Sequence, residues 1–232
     1  MAERGAPPWR IAIVGAESTG KSTLAAALAE RLGRDTGWRA TWVPEVLRAW
    51  CERAGRTPRI DEQAGIAQAQ ADHIEAAAGS HDIVVCDTTP LMTAIYHAHV
   101  FGDHSLHAMA TAWQRRCDLT LLTALDLPWQ ADGLQRDGPH VREPVDAAIR
   151  ALLMQAGLPF VVVGGTGPAR LEHALDAVTP LLAAAPSPRG GLFTRLAARE
   201  SAQPAWGWTC DSCDSPDCEH AAWQLRRASV HR

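Results

Sequence analysis

The octapeptide Gly15-Ala16-Glu17-Ser18-Thr19-Gly20-Lys21-Ser22 stands between an apolar run, Ile11-Ala12-Ile13-Val14, and an alanine- and leucine-rich stretch from Thr23 to Leu32. Two glycines five residues apart, then lysine and a hydroxyl, at a strand-to-helix junction are the spacing of a phosphate-binding loop. The glycines let the backbone curl with its N–H groups inward. Those donors and the positive end of the following helix hold phosphate oxygens. Gly15, Glu17, Ser18, Thr19, Gly20, Lys21, Ser22 and Thr23 are therefore the expected nucleoside triphosphate site. Lys21 is expected to bridge the β- and γ-phosphates, and Ser22 to take one position on Mg²⁺.

Such a loop demands a strand that ends, and a helix that begins, at one edge of a sheet, and the rest of the chain supplies the partners. Short apolar runs at 10–14, 40–43, 83–86, 119–122 and 160–163 alternate with helical patterns at 21–32, 45–54, 62–78, 90–100, 105–115, 144–156 and 168–184. The alternation predicts an α/β P-loop fold, a three-layer sandwich with a five-stranded parallel sheet and ligands at the carboxyl ends of its strands. Ala185-Pro186-Ser187-Pro188-Arg189-Gly190-Gly191 breaks the helical pattern and reads as a linker. The expected organisation is an extension at 1–9, a P-loop domain at 10–184, a linker at 185–191 and a separate tail at 192–232.

With 232 residues, 47% of them hydrophobic, the chain can bury one core and carry an appendage. A net charge of −4 with scattered arginines offers no basic face, which argues against nucleic acid as a partner. No apolar stretch approaches the ~20 residues of a membrane span. A cytoplasmic protein with no membrane partner is expected, with homo-oligomerisation left open. Its six cysteines then read as thiols or metal ligands.

The third strand runs into Asp87-Thr88-Thr89, which places a carboxylate beside the loop as the magnesium-side acid. An aspartate there could also cap the next helix, a role open equally to Thr88 or Thr89. The second strand ends in Pro44-Glu45 with Arg48 one turn on. Glu45 is the expected acceptor of a proton from a substrate hydroxyl and Arg48 a substrate contact, the alternative being a surface ion pair. After the fourth strand, the polar and glycine-punctuated segment from Leu125 to Gly138 suits a mobile lid. Arg136 and Arg142 are its candidates for closing on the transferred phosphoryl group. Trp129 would stack on a flat ring or wedge the lid, and Asp132 would contact substrate. Following the fifth strand, Arg170 would lie on the nucleotide base or on a helix surface.

Gly15 to Leu24, Pro44-Glu45 with Arg48, Ile66-Ala67-Gln68 with Gln70, Asp87-Thr88, and Asp126-Leu127-Pro128-Trp129 with Asp132-Gly133 resemble the ribosylnicotinamide kinase domain of NadR-type P-loop proteins. The resemblance spans residues 10–184. It implies ATP-dependent phosphorylation of the ribose 5′-hydroxyl of nicotinamide riboside, with the lid and its tryptophan near the nucleoside. Leu134 and Gln135 stand before Arg136 where that pattern has an arginine sooner, and Asp-Thr-Thr replaces a motif with a second acid. Only about nine residues precede the first strand, so no adenylyltransferase or helix-turn-helix domain is expected here.

In the tail, Cys210, Cys213, Cys218 and His220 supply four ligands of the kind tetrahedral zinc takes, although the second pair is compressed. A small zinc knuckle is expected, packed by Trp206, Trp208 and Trp223; free thiols or a redox pair are the alternatives. Cys51, Cys86 and Cys117 read as isolated core residues. A metabolic kinase is the leading functional expectation, with another nucleoside or nucleotide kinase, or a regulatory NTPase docking through its tail, as competitors. The last predicts slow hydrolysis indifferent to nucleosides and a partner lost in Cys210→Ser and Cys213→Ser, read by hydrolysis assay and co-purification.

Overall fold

A computed structural model of the chain describes residues 8–130 and 138–183. The chain divides into two compact units, Met1–Leu192 and Phe193–Arg232, and the second lies outside the described residues. In the first unit, strands β1 (Trp9–Val14), β2 (Ala40–Val43), β3 (Ile83–Asp87), β4 (Leu119–Thr123) and β5 (Val161–Val163) form one parallel sheet in the order β2-β3-β1-β4-β5. The helices are α1 (Lys21–Thr36), α2 (Val46–Ala54), α3 (Gln63–Ala78), α4 (Pro90–Phe101), α5 (His107–Gln114), α6 (Arg142–Gln155) and α7 (Gly167–Ala183).

Strand alternation decides which helices cover which face. Val14 and Leu122 pack with Leu91, Met92 and Ile95 of α4 and Val145, Ile149 and Leu153 of α6. Val43, Val84 and Cys86 pack with Ala71 and Ile74 of α3 and Trp113 of α5. Parity sends Ile11, Ile13, Val85, Asp87, Leu121 and Thr123 to the other face, where α1 touches β2 and β3, and α7 touches β4 and β5. Asp87 thus ends on the side of α1, the helix that follows the phosphate loop.

The expected five-stranded parallel sheet is the observed one, and the differences lie at element ends. Helix α1 runs past Gly33 and stops at Gly37, whose left-handed backbone (φ 76°) returns its N–H to the Gly33 carbonyl at 3.0 Å. Helix α6 starts at Arg142 because Pro139–Val141 forms a 3-10 turn that feeds directly into it. Another 3-10 turn, Ile60–Glu62, leads into α3. Cys51 and Cys86 are buried as expected, whereas Cys117 is half-buried at the edge of the α3 cluster. Among the described residues no helix is long and apolar enough to cross a membrane.

Leu121 sits at the centre of the sheet with no exposure. Leu121→Ala should lower unfolding free energy by about 2–5 kcal/mol in chemical denaturation; a loss below about 1 kcal/mol would place the core elsewhere.

Candidate active site

All the strands of the sheet end on one side, and the loop after β1 opens that side. Its shape is set by threonines. The Thr19 hydroxyl donates to the Ala16 carbonyl at 2.8 Å, and the Thr123 hydroxyl, at the end of β4, donates to Thr19 at 2.7 Å. Gly15 passes so close to this pair that a Cβ there would fall 2.0 Å from Thr123 Oγ1. Ser18 takes a left-handed backbone (φ 55°), uncommon for a residue with a side chain. Its hydroxyl accepts the Gln130 N–H at 2.8 Å, which ties the segment after β4 to the loop. Gly20 (φ 76°) is the N-cap of α1, and the Lys21 ammonium donates to the Ala16 carbonyl at 2.9 Å. Ser22 and Thr23 follow in the first turn, so the residues expected around a phosphate are brought together.

Asp87 is 1% exposed, and its Oδ1 has no hydrogen-bond partner among the described residues. Burial pushes its carboxyl above the ordinary aspartate range, while a hydrogen bond from the Ser22 hydroxyl and the charges of Lys21 and Arg48 pull it back. A buried carboxylate oxygen beside a serine hydroxyl is a hard, oxygen-only donor set, which suits Mg²⁺. The helix cap falls to Thr89: its hydroxyl accepts the Leu91 N–H at 3.3 Å and donates to Gln114 at 2.7 Å, with Pro90 in the first turn. Asp87 is thereby left for the loop. Thr88 between them is held left-handed (φ 69°), with its N–H on the Ile13 carbonyl at 3.1 Å.

Next to the loop lies a cavity of about 320 Å³ lined by Glu17, Ser18 and Lys21 on one side and by Glu45, Arg48 and Gln63 among others. Glu45 occupies the extended position just before α2, its side chain mostly buried and 3.8 Å from Arg48. Helix α3 sets that position. Gln70 accepts the Val46 N–H at 2.7 Å and donates to the Pro44 carbonyl at 3.3 Å, gripping the backbone on both sides of the acid. A surface ion pair does not describe this glutamate.

Sequence reasoning missed the rest of the wall. Tyr96, Val100 and Phe101 come from α4, Gln63 opens α3, and Thr57, Pro58 and Arg59 come from the loop after α2. That loop is braced by Arg56, which makes two 2.7 Å bonds to Glu62 while lying 4.9 Å from the centre of the Trp50 ring. The Arg56 hydrogen bonds, with the Arg59 N–H, hold the Glu62 carboxyl down at about 2, so the brace stays ionised at any neutral pH. Cys51, expected only as core, is also part of the wall.

Two expected site residues stand elsewhere. Arg170 is not on a helix surface. It is 4% exposed and donates to Asp126 at 2.8 Å and to the Gly165 and Ala124 carbonyls at 2.9 and 3.2 Å, stapling the loops after β4 and β5. Burial alone would raise the Asp126 carboxyl, but the Gly165 N–H and the Arg170 guanidinium hold it below the usual range. Arg142 is not a loop residue: the 3-10 turn draws it into the first turn of α6, 8% exposed, with Nε and Nη2 lacking partners among the described residues. Trp129 is half-buried and is not among the residues that line the cavity. Asp132 and Arg136 of the expected lid, and Cys210, Cys213, Cys218 and His220 of the expected zinc knuckle, lie outside the described residues. Among the described residues no group of three His, Cys, Asp or Glu side chains could hold a metal.

The family described as AAA domain matches residues 10–170. No curated protein matches. Among solved structures, the NadR protein in complex with NR is similar, with a TM-score of 0.60 and 22% identity over 75% of this chain and 50% of that one. NadR in complex with NAD and AMP-PNP gives a TM-score of 0.58 at 22% identity over 75% and 49%. This chain spans about half the length of the NadR chains it matches, and the likeness is one of fold.

Gly15→Ala should drive Thr123 off Thr19 and weaken nucleotide binding by about 1–3 kcal/mol in calorimetry; unchanged affinity would refute the tight approach. A Mg²⁺ ion held by Asp87 would need that carboxyl ionised, and the carboxyl is raised, so Mg²⁺ affinity of the nucleotide-bound protein should fall on acidification while ordinary aspartates are still charged. Magnesium titrations at several pH values test this, and Asp87→Asn should flatten the profile.

Proposed function

This chain belongs to the AAA domain family, and from that premise we propose that it is an ATP-dependent small-molecule kinase that phosphorylates the ribose 5′-hydroxyl of nicotinamide riboside. One observation carries the reading: a single cavity has Lys21 and Ser18 of the phosphate loop and Glu45 in its wall, with room for a nucleoside. The resemblance of Pro44-Glu45 with Arg48, Gln70 and the Asp126-Leu127-Pro128-Trp129 element to NadR-type kinase domains supports the acceptor, as does the similarity in fold to NadR bound to NR.

Phosphoryl transfer depends on positioning and charge more than on covalent help from the protein. The loop N–H groups and the Lys21 ammonium hold the phosphates, with Lys21 exchanging the Ala16 carbonyl for a phosphate oxygen. Ser22 and Asp87 would hold Mg²⁺, which when bound offsets phosphate charge. Glu45 accepts the proton of the acceptor hydroxyl as its oxygen bonds to the γ-phosphorus and the bond to the ADP oxygen breaks. Arg48 lies between Glu45 and Asp87 in charge and orients the glutamate. Buried and unneutralised by a carboxylate among the described residues, Arg142 provides positive charge at the start of α6, and Arg136 and Asp132 remain lid contacts of this proposal. A zinc knuckle at Cys210, Cys213, Cys218 and His220 is a separate part of it, in a tail beyond the catalytic unit.

ADP release with Mg-ATP, alone and with nicotinamide riboside beside ordinary nucleosides, tests the reading. Selective formation of nicotinamide mononucleotide is expected, and release indifferent to every nucleoside would replace the kinase by a regulatory NTPase. Lys21→Ala should abolish turnover, and Glu45→Gln should lower it about 10²-fold or more with ATP binding intact. Full turnover in Glu45→Gln would remove Glu45 from the proton path.

A further inference from the structure

Helix α4 delivers its part of the cavity wall from its far end. Its early residues Leu91, Met92, Ala94 and Ile95 are buried in the core. Beyond them Tyr96, Val100 and Phe101 line the cavity, with Val100 and Phe101 exposed. A last helical turn with little packed beneath it opens at low cost, so a wall built there needs a tether. His97 supplies one. It is buried, its ring centre lies 5.5 Å from that of Phe101, and its Nε2 lies 3.1 Å from Asp103 Oδ2, just past the left-handed Gly102 that closes the helix. Asp103 is fixed in turn by the Ser105 N–H at 2.8 Å and the Ser105 hydroxyl at 3.0 Å. These bonds and His97 hold its carboxyl below the usual aspartate range, so it is ionised at neutral pH. An ionised carboxylate only accepts, and Nε2 is therefore the donor.

For stability alone this pair is a poor choice. His97 Nδ1 is buried with no hydrogen-bond partner among the described residues, a cost that an apolar side chain of similar size would avoid. One turn earlier, His107 reaches back from α5 to the Ala94 carbonyl. The end of α4 is thus clasped at two levels by the chain that follows it. We propose that His97 is a positioning residue: through Asp103 it holds the end of α4 so that Tyr96, Val100 and Phe101 keep the acceptor cavity in its binding shape. His97 is not itself among the residues that line the cavity. The inference rests on the nucleoside kinase reading above and adds a residue that governs acceptor binding through its neighbours.

The test measures kcat, KM for nicotinamide riboside and ATP affinity in the full chain. The Asp103 side chain is 41% exposed, so the bond can be cut from that end without touching the core. Asp103→Ala should raise KM for the nucleoside about three- to tenfold at nearly constant kcat and ATP affinity. Asp103→Asn, whose amide oxygen still accepts, and Ser105→Ala, which spares the His97 bond, should both stay within about twofold of wild type. His97→Leu should match Asp103→Ala, and the double variant should be no worse than either, since both remove one bond. An unchanged KM in Asp103→Ala, an Asp103→Asn or Ser105→Ala as impaired as Asp103→Ala, or an equal loss of ATP affinity overturns the assignment while leaving the kinase standing. A wild type that phosphorylates no nucleoside overturns the kinase reading and this inference with it.

Discussion

The bond between the hydroxyls of Thr19 and Thr123 joins the phosphate loop to the strand beside it, and the geometry of the site depends on it. Thr123 is the last residue of β4, so its position follows from the β1–β4 register. Thr19 in turn fixes Ala16, whose carbonyl also receives Lys21. Both threonines are fully buried, where a hydroxyl bond competes with no water and a missing partner is costly. Gly15 is obligatory because the same contact leaves no room for a side chain. The loop is therefore held in shape by bonds of the protein's own, which lowers the ordering that binding has to supply.

Asp87 shows the opposing demands of such a site. Parallel strands bury their ends, and burial disfavours a charged carboxylate; the positive groups of the loop and of α2 restore the charge only in part. The next residue, Thr88, is held in a backbone region that costs of order 1–3 kcal/mol for a side-chain-bearing residue. Ser18 is held likewise across the loop. Strain on both sides of the phosphate position is consistent with a backbone shaped for ligand rather than for stability.

What could be foreseen from the chain alone divides by range. The loop was legible because its signal is contiguous: strand, glycine spacing, lysine and hydroxyl lie within one stretch. The sheet was legible because buried parallel strands are short apolar runs set between amphipathic helices. The Arg170 staple was not legible because its partner, Asp126, is 44 residues away and no local pattern announces the pair. Arg142 was misplaced because a proline after a glycine reads as loop, whereas here Pro139 begins a turn that continues into a helix. Gln63, Tyr96 and Phe101 escaped notice because each is unremarkable in its own segment and gains meaning only where α3 and α4 meet at one cavity. The Arg56–Glu62 brace is short in range, but arginine and glutamate six residues apart without a helix between them form no recognised motif.

Gln70 holds the backbone on both sides of Glu45 from a different helix. The acid and the device that aims it are thus separate in sequence and inherited separately under recombination. A chimera that exchanged the β2–α2 segment with a related kinase would carry the glutamate across and leave its guide behind. Modules cut at the ends of secondary structure would break this site without altering any residue that touches substrate, and the natural unit of transfer here runs from β2 through α3.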